Sequence, residues 1–334
     1  MLETTTKLQR QVFALIEKKH PLGKKWLLEY MEWTGLKKSA AYNHRNGSTA
    51  MTADDVLRLM SRYQVHWNDL FPKAENGTIS MQFSAATKKP SGPLEFMQGL
   101  QGYLRQLSQA KISRICFFSN DIPLFYFFEF PLLTAFKFYY WDYAVWGNTN
   151  PEKEPFDQKW LEKPEIQQAL HIAKDILRTY QTIPRTEFWS PDMFKIIIQV
   201  ILKVERDQYI AASSVSENIR NEVLLLQDYV FKMASTIDQR AYPLHEIRCN
   251  TSIYGNNTVL AITEQGNHVF ATFENPNIVY FNNEAMGNYT EAWFLNTRKH
   301  SEAMNVGSDT VRRSFFAKVK DDVVACALLA STER

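Results

Sequence analysis

Three cysteines are all that this 334-residue chain contains, and Cys116, Cys249 and Cys326 lie far apart. That scarcity excludes a disulfide framework and gives no metal-type spacing, so the thiols read as buried or incidental free cysteines in a reducing compartment. Twelve glycines form neither a GxGxxG nor a Walker loop, and neither HExxH nor GxSxG occurs. The seven histidines are scattered, with no two at ligand spacing on one element. No fixed-period repeat and no low-complexity tract is present. Uncharged runs never reach the ~20 residues a membrane helix requires. The chain opens on polar Thr4-Thr5-Thr6 rather than an apolar leader, which leads us to expect a cytoplasmic protein. Catalytic signatures being absent, the expectation is no enzyme, no cofactor and no metal.

Ordinary globular material remains, 45% hydrophobic and 22% charged, of a length that suits two or three domains. The informative stretch is Leu27 to Phe71. Lys24 to Trp33 presents Leu27, Tyr30 and Met31 at helical spacing, and Gly35 then supplies the residue best able to turn one helix into another. A second helix, Lys37 to Asn46, keeps Leu36, Ala40 and Ala41 on one side and turns polar, basic groups outward. Asn46-Gly47 stops it. Thr52 is placed as an N-cap, with Asp54 and Asp55 in the first turn, where the helix dipole favours acids. Val56, Leu57, Leu59, Met60 and Tyr63 give the next helix its apolar stripe, and Val65, Trp67, Leu70 and Phe71 close the unit. Upstream, Lys7 to Lys19 carries Leu8, Val12, Leu15 and Ile16 as the apolar face of a covering helix.

These residues resemble the phage-repressor (Cro/XRE) family of helix-turn-helix domains over about 45 residues without a gap. The match includes the turn Gly35, the Asn46-Gly47 ending and the closing Val65-His66-Trp67-Asn68-Asp69-Leu70-Phe71. The resemblance implies an all-α five-helix bundle whose second motif helix lies in the major groove. Carried over by position, it puts Lys38, Ser39, Tyr42 and Asn43 on base edges of double-stranded DNA. Lys37, Arg45 and Asn46 fall near phosphates, with Lys24 and Lys25 at the start of the preceding helix also placed to touch the backbone. Met31, where the family has a small residue, and Ala41, where it has a larger aliphatic, depart from the pattern and compensate in volume. His44 stands where the family prefers an apolar side chain. Charge agrees: residues 1–71 hold 11 Lys/Arg against 7 Asp/Glu, a net of +4, and the remaining 27 against 29 give −2. The bland alternative is a helical bundle for protein contact with a solvated lysine face.

Residues 72–93, with Pro, Gly, Ser and Thr and little periodicity, read as a linker. Residues 94–334 read as a mixed α/β domain for sensing or oligomerisation, divisible into a helical part (94–240) and an α/β part (241–334). Helices are expected over Leu94 to Gln109, 157–182, 191–207 (Ser190 capping, Pro191 in its first turn), Ser216 to Ile237 and Ser308 to Leu329. Ile112 to Phe118 reads as a short buried strand, and Val259 to Phe281 as a small antiparallel meander around Glu264-Gln265-Gly266-Asn267. Residues 117–146 hold 14 aromatics, but Pro123, Glu129, Pro131, Lys137 and Asp142 interrupt any membrane span. A core helix pair is the plain reading there, and the wall of an apolar pocket the alternative. The stripe Ile219, Val223, Leu226, Val230, Met233 and Ile237 reads as core, with a dimer seam as the alternative. Arg298-Lys299-His300-Ser301, with Arg312 and Arg313, is either a solvated basic face or a gathering of cations for an anion.

The expected function is therefore a bacterial transcriptional regulator binding DNA as a homodimer, its body dimerising it and taking a small-molecule effector. Two alternatives stand beside it: an enzyme in which the head only localises the chain, and an adaptor whose head binds protein.

Overall fold

The computed structural model describes residues 2–19, 25–63, 65, 70, 89–235, 245–249, 256–281, 283–305 and 309–332, the side chains of 2–5, 18, 19, 25, 322 and 324–332 excepted. The chain divides into two compact units, Met1–Ser80 and Met81–Arg334.

The first unit contains α1 (Leu2–Lys19), α2 (Lys25–Thr34), α3 (Lys38–Asn46) and α4 (Ala53–Arg62). The closing segment, where a fifth helix is expected, lies mostly outside the described residues, but Val65 and Leu70 are buried in the same core. That core centres on Phe13, whose ring meets Tyr30 edge-on at 5.5 Å and Trp26 at 5.8 Å. Thr52 caps α4, its hydroxyl accepting from the Asp55 amide with Asp54 and Asp55 in the first turn.

In the second unit the alternation of Ile115 and Phe117 with Cys116 and Phe118 places β1 (Ile112–Ser119) at the middle of a seven-stranded sheet. The other strands are β2 (Arg185–Trp189), β3 (His245–Cys249), β4 (Thr258–Thr263), β5 (Gly266–Glu274), β6 (Asn277–Phe281) and β7 (Glu302–Ala303), in the order β6-β5-β4-β1-β2-β3-β7. Strands β1, β2 and β3 are parallel, Ile115 opposite Arg185 and Arg185 opposite His245, while the remaining pairs are antiparallel. This corrects the small meander: β4–β6 form only one wing of a larger mixed sheet. Strand β2 is hard to see in the sequence because its inward residues include Arg185 and Glu187, which read as solvent-facing in isolation. The sheet draws strands from both sides of residue 240.

Parallel neighbours require long crossovers. From β1 to β2 the chain runs through α6 (Leu124–Phe127), α7 (Pro131–Ala144), α8 (Gln158–Glu162) and α9 (Pro164–Thr182); from β2 to β3 it runs through α10 (Lys195–Arg206) and α11 (Ser213–Ser235). α5 (Pro93–Gln109) precedes β1, and the Glu95 carboxylate in its first turn reaches back to accept from the Ser91 amide and hydroxyl at 2.8 and 2.7 Å. α12 (Glu284–Lys299) lies on the opposite sheet face, where Trp293 stacks on Phe118 at 3.9 Å, and α13 (Asp309–Thr332) ends the described chain.

Two helix expectations shift. Residues 157–182 break at Lys163, which takes an extended ψ of 132° because the ring of Pro164 disfavours helical backbone before it. The helix expected at 191 starts at Lys195, since Ser190 to Phe194 is taken up by tight turns, with the Met193 amide bonded to the Ser190 carbonyl and the Lys195 amide to that of Asp192. The aromatic stretch is core: α7 is apolar on nearly all sides and buries Leu133, Phe136, Phe138, Tyr139 and Trp141. Among the described residues no helix is long and apolar enough to cross a membrane.

Candidate nucleic-acid interface

α2 and α3 meet at Gly35, whose φ of +69° belongs to the left-handed region and whose missing Cβ would meet nothing within 4 Å. Glycine is needed there for backbone conformation and not for space. α3 ends on Gly47 at φ +70°, its amide donating to the carbonyl of His44. A Cβ on Gly47 would approach Arg10 Nε to 2.6 Å, because Arg10 lies against the turn and donates to the Asn46 carbonyl at 2.9 Å.

The inner side of α3 is held by one apolar residue and two polar anchors. Ala41 is fully buried, which suits the half-buried Met31 packed against the same core. Tyr30 Oη lies 2.8 Å from His44 Nδ1, so His44 is held on the inner side of α3 by hydrogen bonding, and burial pushes the Tyr30 pKa up to about 12. Gln9, fully buried on α1, donates to the carbonyls of His44 and Thr49 (2.5 and 2.9 Å) and accepts from the Met51 amide at 2.9 Å. Three backbone groups of the turn after α3 are thereby satisfied by one side chain.

Lys37, Lys38, Ser39, Asn43 and Asn46 are exposed or half-exposed. Tyr42 is half-buried, with the Arg45 guanidinium 5.9 Å above its ring. Arg45 is not free toward solvent: it pairs with Glu17 of α1 at 2.6 Å, which ties α3 to α1. Lys24 and the side chain of Lys25 lie outside the described residues, although Lys25 does begin α2. The start of α3 differs from that of α4. Lys37 at the N-cap supplies no side-chain hydrogen bond, no acid stands in the first turn, and Lys37 and Lys38 flank the open amides. Helix dipole and side chains there add with the same positive sign, as an approaching phosphate requires.

In the second unit the structure assembles two charged clusters that the sequence does not reveal. Glu187 of β2 is fully buried. Its Oε1 accepts from Tyr126 Oη (2.6 Å), Tyr180 Oη (2.7 Å) and Arg185 Nε (3.1 Å), and its Oε2 from Trp189 Nε1 (2.7 Å). His245 Nε2 lies 3.3 Å from Oε1, and His245 Nδ1 3.2 Å from Arg185. Burial alone would raise the carboxyl; His245, Arg185 and Tyr126 outweigh it and bring the pKa down to about 2. Burial also lowers the pKa of His245, against the opposing pull of Glu187, and Arg185 is the standing countercharge of the carboxylate. The only signal in the sequence is the spacing Arg185-x-Glu187-x-Trp189, which a strand places on one face. In the second cluster Asp121, just past β1, accepts from Asn275 at 3.3 Å and from Asn257. Burial raises its carboxyl and the nearby Lys137 lowers it. Lys137 sits 4.0 Å from the Phe127 ring centroid. Lys137 and Asp142, which interrupt the aromatic run in sequence, are thus buried polar members of the core, Asp142 accepting from Asn148 and Thr149 at 3.0 and 2.5 Å.

The Glu187 group is sealed, with Arg185 2% exposed and Glu187 not at all, and the carboxylate contacts are made inside the protein. A cleft of about 530 Å³ opens between the start of α5, Asp142 and the α8–α9 junction; of its carboxylates Glu95, Asp142 and Glu165, Glu95 accepts from Ser91 and Asp142 from Asn148 and Thr149. No group of three or more His, Cys, Asp or Glu suited to a metal occurs among the described residues. The cations near the end of α12 are divided among internal partners. Arg298 pairs with Glu246 at 3.1 Å, and Arg312 and Arg313 both with Asp309, so they do not converge on a common anion site. Cys116 is buried, with its thiol raised by burial to about 12.

Compared with known protein families, curated proteins and solved structures, the chain shows no match.

Proposed function

We propose that this chain is a cytoplasmic, sequence-specific DNA-binding regulator of transcription that acts as a homodimer, its body pairing the two copies and offering a site for a small effector. The observation that carries this reading is α3. A short helix is braced from behind by Ala41, Gln9 and the Tyr30–His44 contact, and turns Lys38, Ser39 and Asn43 to solvent. Its N-terminus is open and flanked by Lys37 and Lys38. In the proposed complex Lys38, Ser39, Tyr42 and Asn43 read base edges while Lys24, Lys25, Lys37 and Asn46 meet phosphates. Arg45 reaches a phosphate only by leaving Glu17. Two heads would read half-sites about 34 Å apart or a multiple of that. On this reading the chain catalyses nothing and needs no cofactor.

The test is a fluorescence-anisotropy titration of the full chain against duplex DNA from its own upstream region, over a salt series. Lys38→Ala/Asn43→Ala should cost roughly 10- to 100-fold at the specific site while leaving non-specific binding nearly intact. Lys37→Ala should weaken both and flatten the dimer's log–log salt slope by about 2, one phosphate per copy. Absence of binding to that DNA and to a pool of genomic fragments would overturn the reading and leave a protein-contact head in its place.

A further inference from the structure

We infer that two copies of the chain pair antiparallel through the outer face of α11, about a two-fold axis passing between Leu224 and Leu225. This rests on the dimeric part of the function proposed above and not on its DNA-binding part.

α11 is amphipathic in an unusual way. Its stripe of Ile219, Val223, Leu226 and Val230 is buried in the body, as a core-facing helix requires. The opposite side should then be polar, yet Leu224 and Leu225 are 45% and 56% exposed and Phe231 is 42% exposed. The polar residues around them, Glu217, Asn218, Asn221, Asp228 and Lys232, are at the surface as well.

Their order is self-complementary. With the axis between Leu224 and Leu225, each Leu224 meets the second copy's Leu225, each Asn221 meets Asp228 and each Glu217 meets Lys232. An isologous pairing makes every one of these contacts twice. Glu217 and Lys232 are 15 residues apart, roughly 22 Å along the helix, which places the opposite charges at the two rims and the leucines at the centre. A parallel pairing would set Glu217 on Glu217 and Lys232 on Lys232. The charges therefore select the antiparallel arrangement, and the balance of Glu217 and Lys232 about the central leucines fits a second copy of the same helix, with Phe231 lying opposite Asn218.

The experiment is sedimentation equilibrium on the full chain without DNA, across the micromolar range. Wild type should sediment as a dimer of the 38.9 kDa chain. Leu225→Asp, at an exposed position, should sediment as a monomer with an unchanged circular dichroism spectrum. Glu217→Lys and Lys232→Glu should each weaken the dimer about tenfold, and the double exchange Glu217→Lys/Lys232→Glu should restore it, a recovery that no folding defect imitates. A monomeric wild type would overturn this surface and the dimeric reading together. A dimeric Leu225→Asp would overturn the surface alone. If Leu225→Asp keeps the wild-type mass but exposes the chain near residue 80 to protease, the face seats the chain's own head, and the proposal falls.

Discussion

Glu187→Gln should destabilise the second unit by about 3–5 kcal/mol, and two routes lead to that magnitude. Removing one member of a buried ion pair leaves the other charge without compensation, which typically costs about 3–5 kcal/mol. Arg185, 2% exposed and hydrogen-bonded to Glu187 Nε to Oε1 at 3.1 Å, would be the charge stranded. The second route is proton linkage. The carboxyl is depressed from 4.5 to about 2 in the folded chain. That depression corresponds to roughly 3–4 kcal/mol at about 1.4 kcal/mol for each tenfold change in proton affinity. Because the folded pKa is the lower one, this stability is complete above the unfolded value and is lost as pH falls from about 4.5 toward 2. The amide adds a local conflict, since whichever way it turns, an NH2 meets either the Trp189 indole N–H or the Arg185 Nε–H, neither of which can accept. The assay is urea unfolding of the full chain at pH 7 and at pH 3, followed by tryptophan fluorescence. The variant should lose about 2 kcal/mol of the wild-type pH dependence over that range, the share of this one carboxyl between pH 4.5 and 3, as well as stability at pH 7. Adding Arg185→Met should recover about 1–3 kcal/mol of the loss, the coupling expected of groups in one network. A Glu187→Gln protein within about 1 kcal/mol of wild type at pH 7, or strict additivity in the double variant, would refute the account.

Further outcomes follow from other sites. Gly35→Ala should cost about 1–2 kcal/mol through its left-handed backbone alone, and Gly47→Ala more, since its Cβ would also displace Arg10; thermal unfolding of residues 1–80 within the full chain reads both. Gln9→Ala should destabilise the same unit by roughly 2–4 kcal/mol, because it strips the Thr49 carbonyl and the Met51 amide of their side-chain partner and leaves the His44 carbonyl only the Gly47 amide; a loss under about 0.5 kcal/mol would show that water replaces it. Thr52→Ala should cost about 1 kcal/mol as a lost N-cap. Cys116 should resist alkylation at pH 8 in the native chain and react once urea unfolds it, as peptide mapping by mass spectrometry would show.

Much of the first unit was legible without coordinates because its signals are local. Gly35, Asn46-Gly47 and Thr52 each act on their own backbone or on an amide three residues away, and the helices end where those residues stand. Apolar stripes at helical spacing work the same way: the buried side of α11 could be read off Ile219, Val223, Leu226 and Val230. Pairing is what the sequence by itself could not determine. Nothing adjacent to Arg185-Thr186-Glu187 tells that this strand lies between β1 and β3, because its hydrogen-bonding partners are some 70 residues before it and 60 after it. Only the tertiary structure decided that a carboxylate and a guanidinium belong in the core, since the groups that make their burial tolerable, Tyr126, Tyr180 and Trp189, come from α6, α9 and β2. It also decided that Arg45 turns to Glu17, and that Arg298 and Arg312 have separate acids, choices made by distances across the fold. Backbone propensity is written residue by residue; the fate of a charge depends on what folding brings within a few ångströms of it.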